Sequence, residues 1–332
     1  MKNNHRKLEH LRICIEKDVE TNKAGFENVK LIHKILPEID YDKIDTKITF
    51  LGKKLDYPVI IEGMTGGVPA AKKINRDLAE IADEFNIGMG VGSQRAAIEN
   101  TTLAKTYYVR DAAPDILLIS NLGAVQLNYE CGIKECKKAV EMIEADALAL
   151  HLNPLQECVQ EEGNRNFSRL IEKINSVSTD LKKDKIPVIA KGISTGISPE
   201  IAKKLNVSAI DTGGMGGTSW ALVESYRKFG NPRIGKLFSD WGISTSECVA
   251  NLSGIKTPII ASGGIRTGID AAKSIALGAK CTGMALPFLK AGASGGKKGI
   301  RKFLNDFIRE FKIAMFLTGS GKVSELKGKV VR

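Results

Sequence analysis

The chain has 332 residues, of which 43% are hydrophobic and 26% charged, an ordinary balance for a globular protein. No apolar stretch reaches the roughly 18 residues that a membrane span needs, and the N-terminal MKNNHRKLEH has no apolar core, so we expect a cytoplasmic protein with no membrane segment. The formal net charge of +11 favours anionic ligands or simply a solvated basic surface. Dispersed basic residues, few aromatic residues and no recognition motif argue against nucleic-acid binding.

None of the six cysteines forms a C-x-x-C pair, so we expect free thiols in a reducing compartment. Cys131 and Cys136 could in principle share a metal ion. Their spacing is not that of a zinc knuckle and no second pair follows, which disfavours that alternative.

Residues 1–57 precede the first strand of a repeating pattern and form an N-terminal extension. Within it, RKLEHLRICIE (residues 6–16) predicts a helix that carries Arg6, Lys7 and His10 on nearby faces. A solvated basic N-terminus is the alternative. ITFLGKKLDYP predicts a small hairpin around Gly52 that could cover one end of the domain.

Eight short apolar runs recur after the extension. Each is continuous rather than alternating, which is typical of parallel strands buried on both faces. The runs are residues 58–65, 86–93, 115–124, 146–153, 187–194, 208–215, 258–265 and 280–287.

Helical patterns separate these runs, at residues 70–85, 133–145, 167–178, 198–205, 268–278 and 298–319. Strands that alternate with helices predict an α/β fold, the (β/α)₈ TIM barrel, as one domain over residues 1–332. An open doubly wound sheet is the alternative. Residues 216–250 form an insertion after the sixth strand, and it could fold over a site.

Polar residues gather where the predicted strands end. The stretch ALALHLNPLQE leads from a buried strand directly into His151, Asn153, Gln156 and Glu157. Such ends form one rim in a barrel, and that rim carries function. The convergence favours an active site over an ordinary polar turn.

Glycine-rich motifs follow the last three strands: DTGGMGGTSW (211–220), SGGIRTG (262–268) and GMALP (283–287). Glycine lets backbone N–H groups approach an anion, and the loops after strands seven and eight commonly bind phosphate in barrels. Each motif alone would also suit a plain turn. Together they predict a phosphate site.

Two charged residues at the rim have specific interpretations. Lys191 either forms a structural ion pair or faces a cofactor, where its charge would stabilise an anion such as a reduced flavin. Glu157 suits Mg²⁺, although a carboxylate in the first turn of a helix is common. His151 could contact phosphate or a metal-bound oxygen, or be structural. The rim shows no pair of apposed carboxylates for acid–base work.

The motifs together resemble the type 2, FMN-dependent isopentenyl-diphosphate isomerases. The matching stretches are RKLEHL, GMTGG, GSQRA, SNLGA, HLNPLQE, KGIS, DTGGMGGTSWA and SGGIRTG…ALGA…GMALP, in family order over residues 6–287. The resemblance implies an FMN-bearing TIM barrel that interconverts isopentenyl and dimethylallyl diphosphate. It also implies Mg²⁺, flavin reduction by NADPH or NADH, acid–base chemistry by the reduced FMN, and a homo-oligomer, often a tetramer or octamer.

The resemblance also assigns residues by motif. The implied FMN contacts are Met64, Thr65, Gly66, Ser93, Asn121, Lys191, Thr218, Gly264, Ile265, Arg266, Ala285 and Leu286. The implied substrate contacts are Arg6, Lys7, Ser93, Arg95, His151, Asn153 and Gln156, with Gln156 orienting the substrate and Glu157 binding Mg²⁺. Gly213 departs from a Ser expected in some relatives, and its backbone N–H could replace that contact to the flavin phosphate.

Two other functions remain open at this point. An FMN oxidoreductase acting on a hydroxy acid would need a catalytic histidine in the last loops, and SGGIRTG has none. A non-catalytic basic nucleic-acid-binding module would leave the polar rim unexplained. A yellow colour would separate the flavin functions from the basic module.

Overall fold

The computed structural model describes residues 2–331 and confirms the predicted barrel. Helix α1 (Lys2–Glu16) opens the chain, and an antiparallel hairpin follows, with β1 (Ile48–Phe50) paired to β2 (Lys53–Leu55) around Gly52. Eight parallel strands then close on themselves. They are β3 (Val59–Ile61), β4 (Gly88–Gly90), β5 (Leu118–Gly123), β6 (Ala147–Leu152), β7 (Val188–Gly192), β8 (Ala209–Asp211), β9 (Ile259–Ser262) and β10 (Cys281–Met284).

Helices connect and surround the strands. They are α2 (Pro69–Glu84), α3 (Arg95–Glu99), α4 (Ile133–Ile143), α5 (Pro154–Val159), α6 (Leu170–Leu181), α7 (Pro199–Lys204), α8 (Trp220–Ser225), α9 (Pro232–Leu237), α10 (Thr245–Leu252), α11 (Gly268–Leu277) and α12 (Leu286–Leu317). The predicted helices are confirmed. The last predicted helix, residues 298–319, follows a non-helical kink at Gly296, where φ is +56°, and an unpredicted helical segment that starts at Leu286 precedes this kink within α12.

Local sequence explains several helix ends. Thr267 and Asp270 form a capping box that begins α11, and Gly278, with φ +124°, ends it. Ser198 caps α7 through its hydroxyl. Because α11 starts immediately after the SGGIR turn, this cap also fixes the direction of the loop after β9.

The barrel core explains why the strand sequences do not alternate. Side chains on both faces of each strand are buried, either inside the barrel or under the helices. Ile60, Ile61, Leu118, Leu148 and Ile210 are all inaccessible to solvent. A strand that is apolar on both faces has no solvated side to show in its sequence.

The two ends of the barrel differ. The β1–β2 hairpin lies at the N-terminal ends of the strands, where Lys53 Nζ donates to Asp115 O at 3.2 Å and lies 3.0 Å from Asp146 Oδ1. These contacts place the hairpin against the N-terminal ends of β5 and β6. The opposite, C-terminal end is left for the loops and for α1. No helix within residues 2–331 is long and apolar enough to cross a membrane.

Candidate active site

A cavity of about 260 Å³ opens at the C-terminal ends of the barrel strands. Its walls come from the strand ends, from α1 and from the insertion after β8, so the insertion does fold over the site. The predicted site residues that line it are Arg6, Lys7, Met64, Thr65, Ser93, Arg95, Asn121, His151, Asn153, Gln156, Glu157, Lys191, Thr218, Gly264, Arg266, Ala285 and Leu286.

Two predicted cofactor residues do not line the cavity. Gly66 packs under Tyr107, and a Cβ added there would lie 1.8 Å from a ring carbon. Ile265 is inaccessible to solvent and belongs to the hydrophobic core. Both residues therefore lie behind the residues that line the cavity.

One side of the cavity, which we call the cationic wall, consists of Arg6, Lys7, Arg95 and His151. Lys7 Nζ lies against Ser93 O at 2.9 Å and Tyr107 Oη at 2.6 Å. Burial, and then the positive charge of Arg6, lower the pKa of Lys7 to about 7. The predicted N-terminal helix thus brings a readily titrated amine into the site.

The other members of the cationic wall are held by polar partners. Arg95 Nη1 donates to Asn164 Oδ1 at 2.8 Å, and its Nε donates to Glu99 Oε1 at 2.7 Å. Arg6 Nη1 lies 3.5 Å from Glu162 Oε1. Each guanidinium keeps further N–H groups for an anion, because it carries five donors.

His151 is neutral near pH 7. Asn121 Nδ2 donates to Val91 O at 3.0 Å, which turns Asn121 Oδ1 toward His151 Nδ1 at 2.8 Å. This assigns the hydrogen to Nδ1 and leaves Nε2 as an acceptor. Burial, followed by the charges of Lys191 and Lys7, lowers the pKa of His151 to about 4.

The opposite side, which we call the glycine wall, consists of Gly213, Gly214, Gly263 and Gly264 after β8 and β9. Gly263 and Gly264 have φ of +100° and +78°, a region that glycine adopts at no steric cost. Arg266 lies at its edge, where Nε donates to Glu20 Oε1 at 2.7 Å. The wall presents mainly backbone, which suits a phosphate cradle.

Gly213 does not match the expectation for its N–H group. That group donates to Ser262 Oγ at 2.9 Å, so it is not free to replace a serine contact. A Cβ at this position would lie 1.8 Å from Gly192 O, with φ at +46°. This backbone therefore excludes serine as well as the substitute contact.

The floor of the cavity contains a buried ion cluster that was not predicted from the sequence. Lys191 Nζ lies 2.7 Å from Glu62 Oε2 and also donates to Asp211 Oδ2. All three side chains are buried. No pair of apposed carboxylates was expected at the rim, and the structure brings Glu62 and Asp211 together on the floor, where both contact Lys191. A charged residue inside the apolar run PVIIEG was the signal that could have revealed Glu62.

Lys191 is ion-paired, as one interpretation expected, and it also lines the cavity in which the other interpretation would place a cofactor. Burial disfavours its charged form, but Asp211 and Glu62 outweigh burial and raise the pKa of Lys191 above its ordinary value. Lys191 is therefore charged at every physiological pH.

Gln156 is oriented from both ends of its amide. Its Oε1 accepts from Asn153 Nδ2 at 3.0 Å and its Nε2 donates to Glu224 Oε1 at 2.9 Å. Glu224, from the insertion, also lies 3.0 Å from His10 Nε2. Burial would raise the pKa of Glu224, but His10, Gln156 and Arg227 together lower it to about 2. Glu224 was not predicted, because nothing local marks it.

Glu157 and Asn153 form an oxygen-rich corner. The carboxylate accepts from Asn153 Nδ2 at 3.0 Å and from the Asn164 backbone N–H at 2.6 Å, which leaves lone pairs free on both oxygens. Asn153 Oδ1 is buried without a hydrogen-bond partner in residues 2–331. A carboxylate beside an unpaired amide oxygen fits Mg²⁺. No cluster of three His, Cys, Asp or Glu that could hold a metal occurs among the described residues.

The cavity also fits a flavin. The glycine wall offers a phosphate cradle, Lys191 offers a fixed positive charge, and Thr65 Oγ1 is buried without a partner among the residues that the structure describes. Met64, Met284 and Leu286 add apolar surface. A ligand with one phosphate and a flat, partly polar ring system would match these features.

Comparison with known proteins defines the class first. A family model described as FMN-dependent dehydrogenase matches residues 14–113 and 160–332. A solved flavocytochrome b2 variant with benzoylformate superposes at a TM-score of 0.66 with 19% identity, covering 98% of this chain and 78% of that one. A mandelate oxidase variant with an FMN adduct gives 0.60 and 17%, covering 97% and 91%. The chain is a TIM barrel of the FMN-dependent dehydrogenase family.

Sequence relatives are more specific. Isopentenyl-diphosphate delta-isomerase from Archaeoglobus fulgidus is 48% identical over 99% of this chain and 95% of the relative. The proteins of the same name from Nostoc sp. and Pyrococcus furiosus are 46% and 47% identical, each over 97% of this chain and over 93% and 84% of the relative. The chain belongs to the isopentenyl-diphosphate delta-isomerase family.

Proposed function

We propose that this protein interconverts isopentenyl and dimethylallyl diphosphate, with FMN and Mg²⁺ bound in the cavity. The observation that carries the proposal is that one cavity has a basic side and a separate side of glycine backbone, each suited to an anion. The glycine wall suits the single phosphate of FMN, and the cationic wall suits a diphosphate. A hydroxy-acid oxidase would need to hold only a carboxylate in addition to FMN.

The diphosphate would be held by Arg6, Lys7 and Arg95, with Ser93, His151 and Asn153 completing the site. The two guanidinium groups can make paired hydrogen bonds to phosphate oxygens. A diphosphate next to Lys7 would favour its charged form, since an opposite charge raises the pKa of an amine. Binding and protonation of Lys7 would therefore be coupled.

Glu157 would bind Mg²⁺ together with diphosphate oxygens. Mg²⁺ in proteins usually keeps one or two carboxylates and completes its shell with phosphate oxygens and water. The unpaired Asn153 Oδ1 would be a further oxygen at this corner, directly or through water. Mg²⁺ at this corner and the side chains of the cationic wall would thus bind the same diphosphate.

The reaction moves a double bond by adding a proton to one carbon and removing a proton from another. Bound reduced FMN would supply the acid and the base. Gln156 orients the substrate, because both ends of its amide are already fixed by Asn153 and Glu224. Met64, Met284 and Leu286 exclude water beside the developing positive charge.

We assign the FMN contacts to Met64, Thr65, Asn121, Lys191, Thr218, Gly264, Arg266, Ala285 and Leu286, which line the cavity. Ser93 lies between the cationic wall and the strand ends and would touch both ligands. Gly66 and Ile265 would act only through the backbone shape of their loops. NADPH or NADH would reduce the flavin.

We also propose a homo-oligomer, a tetramer or an octamer. Phe229, Leu237 and Trp241 of the insertion are 74%, 65% and 63% exposed, which is unusual for large apolar side chains. The other tryptophan, Trp220, lines the cavity instead. Light scattering coupled to size-exclusion chromatography would measure the assembly directly, and a monomer at micromolar concentration would contradict it.

The test of the activity is an anaerobic assay of purified protein with FMN, Mg²⁺, NADPH and isopentenyl diphosphate. We expect dimethylallyl diphosphate, and we expect its formation to stop when either FMN or Mg²⁺ is omitted. A yellow protein that makes no product but reduces its flavin with a 2-hydroxy acid would support the oxidase alternative. His10 and His151 are the cavity histidines in the described chain, and neither lies in the last loops.

A further inference from the structure

The floor cluster has one more negative group than positive groups. Glu62 on the loop after β3 and Asp211 at the end of β8 both contact Lys191 on β7. If both carboxyl groups were ionised, the buried cluster would carry a net charge of −1. A buried surplus charge is costly unless a proton or a partner compensates it.

The two carboxyl groups are not equivalent. Asp211 is well solvated by protein groups, since it accepts from Lys191, from Ser262 Oγ and from the Gly213 N–H at 3.3 Å. Glu62 is 7% exposed, and its Oε1 has no hydrogen-bond partner within the described chain. Among the described residues Asp211 has three donors, whereas Glu62 has Lys191 alone, so we place the proton of the cluster on Glu62.

The charged and titratable groups facing Glu62 support this order. Burial, and then the negative charge of Asp211, raise the pKa of Glu62 to about 8, against the opposing effect of Lys191. Cys281 on β10 lies nearby, and burial and the two carboxylates raise the pKa of its thiol well above the usual value, so it stays neutral. Lys7, whose pKa is lowered to about 7 by burial and by Arg6, also lines the cavity, so a comparison of wild type with Glu62→Gln is needed to separate the two titrations.

We propose that Glu62 is a positioning residue whose proton sets the net charge of the cavity floor and thereby the preference of the site for reduced over oxidised flavin. The proposal rests on the flavin site described above. Glu62 and Lys191 both line the cavity, so the charge of this cluster acts directly on a ligand there. With Glu62 protonated the cluster is neutral, and with Glu62 ionised it carries −1.

The charge balance gives the direction of the effect. Reduction of FMN to its anion takes up two electrons and one proton, as a hydride from the reduced nicotinamide. An ionised Glu62 repels this new negative charge. If Glu62 is ionised in the oxidised protein, reduction of the flavin would be accompanied by uptake of a second proton from solvent, onto Glu62. The ion cluster on the cavity floor would then be neutral next to the anionic reduced flavin.

The experiment measures the flavin midpoint potential from pH 6 to pH 10 in the FMN-loaded wild type, Glu62→Gln and a surface control, Glu141→Gln. Below about pH 7, the midpoint potentials of the wild type and of Glu62→Gln should change in parallel with pH. Above about pH 8, the affinity of the wild type for reduced relative to oxidised flavin should fall by up to an additional tenfold per pH unit. This corresponds to an additional decrease in midpoint potential of roughly 30 mV per pH unit for a two-electron couple. Glu62→Gln should show no such break, and parallel curves over the whole range would overturn the proposal.

A second measurement separates this proposal from the flavin assignment. Without flavin, Glu62 binds a proton in the folded protein up to about pH 8 but loses it near pH 4.5 when unfolded. Stability should therefore fall as pH rises through this window, and Glu62→Gln should gain relative to wild type. Equal pH profiles of the wild type and the variant would contradict a titrating Glu62, even if FMN binds.

Glu62→Met provides a safeguard if Glu62→Gln folds poorly. Methionine has a similar length and cannot ionise, so it should also remove the break in the potential. A protein that binds no FMN in any variant would reject the cofactor assignment, while the stability profile would still report on Glu62. A break retained in both variants would assign the titration to another group and overturn the proposal.

Discussion

The cationic wall and the glycine wall face each other across one cavity but are built on different principles. The cationic wall recognises its ligand with side chains, two of which, Lys7 and His151, have strongly lowered pKa values. The glycine wall presents backbone, whose donors do not titrate. Binding on one side should therefore depend on pH, and binding on the other should depend on steric fit.

The walls also differ in where their residues come from. The glycine wall is contributed by loops after two adjacent strands, β8 and β9. The cationic wall joins α1, α3 and β6, which are distant in the chain. Local motifs are consequently enough to suggest the first, whereas the second depends on the N-terminal extension reaching the opposite side of the barrel.

The largest effect should come from filling the glycine wall. Gly264→Ala places a Cβ 2.7 Å from Gly216 O at a φ of +78°. We expect FMN affinity to fall at least roughly 100-fold, because strain and the clash distort the cradle. Titration with FMN would measure the loss.

The matched control is Gly254→Ala, where a Cβ would meet no atom of the described chain within 4 Å and φ is not in the left-handed region. It should keep normal affinity. Unchanged FMN binding by Gly264→Ala, with a normal melting curve, would mean that this wall does not cradle the phosphate.

The metal corner gives the second effect. Glu157→Gln should lower kcat/KM at fixed Mg²⁺ by more than the roughly 10–100-fold that loss of an outer-shell contact costs, while FMN stays bound. The reason is that an amide is a weaker Mg²⁺ ligand than a carboxylate. Steady-state rates against Mg²⁺ concentration would reveal it.

Glu161→Gln is the control, since Glu161 is exposed four residues further along the chain. It should behave as wild type. Wild-type activity in Glu157→Gln would remove the metal assignment, and loss of flavin from this variant would show that the two walls are not independent.

The smallest effect is the pH dependence of the cationic wall. Below about pH 7 Lys7 is already charged, and above it the free protein must take up a proton to bind a diphosphate. Affinity should thus weaken by up to about tenfold per unit from pH 7.5 to 9, where the diphosphate itself is fully ionised. Calorimetry in two buffers would detect the proton uptake.

Lys7→Met should bind the diphosphate more weakly than the wild type does and should lose this pH dependence. The control Lys134→Met, which changes an exposed lysine, should retain it. FMN affinity, set mainly by the glycine wall, should vary less over the same range. An equal pH dependence of FMN and diphosphate binding would erase the distinction between the walls.

Much of the architecture could be read from the chain. Eight continuous apolar runs predicted eight buried strands, and all eight are present in the closed barrel. The hairpin around Gly52 was also predicted correctly, and the helix considered for residues 6–16 is part of α1, which begins earlier, at Lys2. These features depend on local periodicity, burial and turn chemistry, which a short segment carries by itself.

Whether an individual residue lines the cavity could not be predicted from the sequence in the same way. Gly66 and Ile265 belong to motifs that reach the site, yet they lie behind its wall. Both residues lie in loops, after β3 and β9, where no regular periodicity indicates which side chains face the cavity. The tertiary arrangement of the loops around the barrel decides which residues line it.

Local sequence patterns were enough to predict the barrel, its glycine turns and the polar rim at His151 to Glu157. Only the tertiary structure brought Glu62, Lys191 and Asp211 together, since barrel closure joins residues that lie up to 149 positions apart in the chain. It likewise joined Glu224 to Gln156 across 68 residues. Electrostatic character depends on distance in space and on burial, and neither is encoded in local spacing.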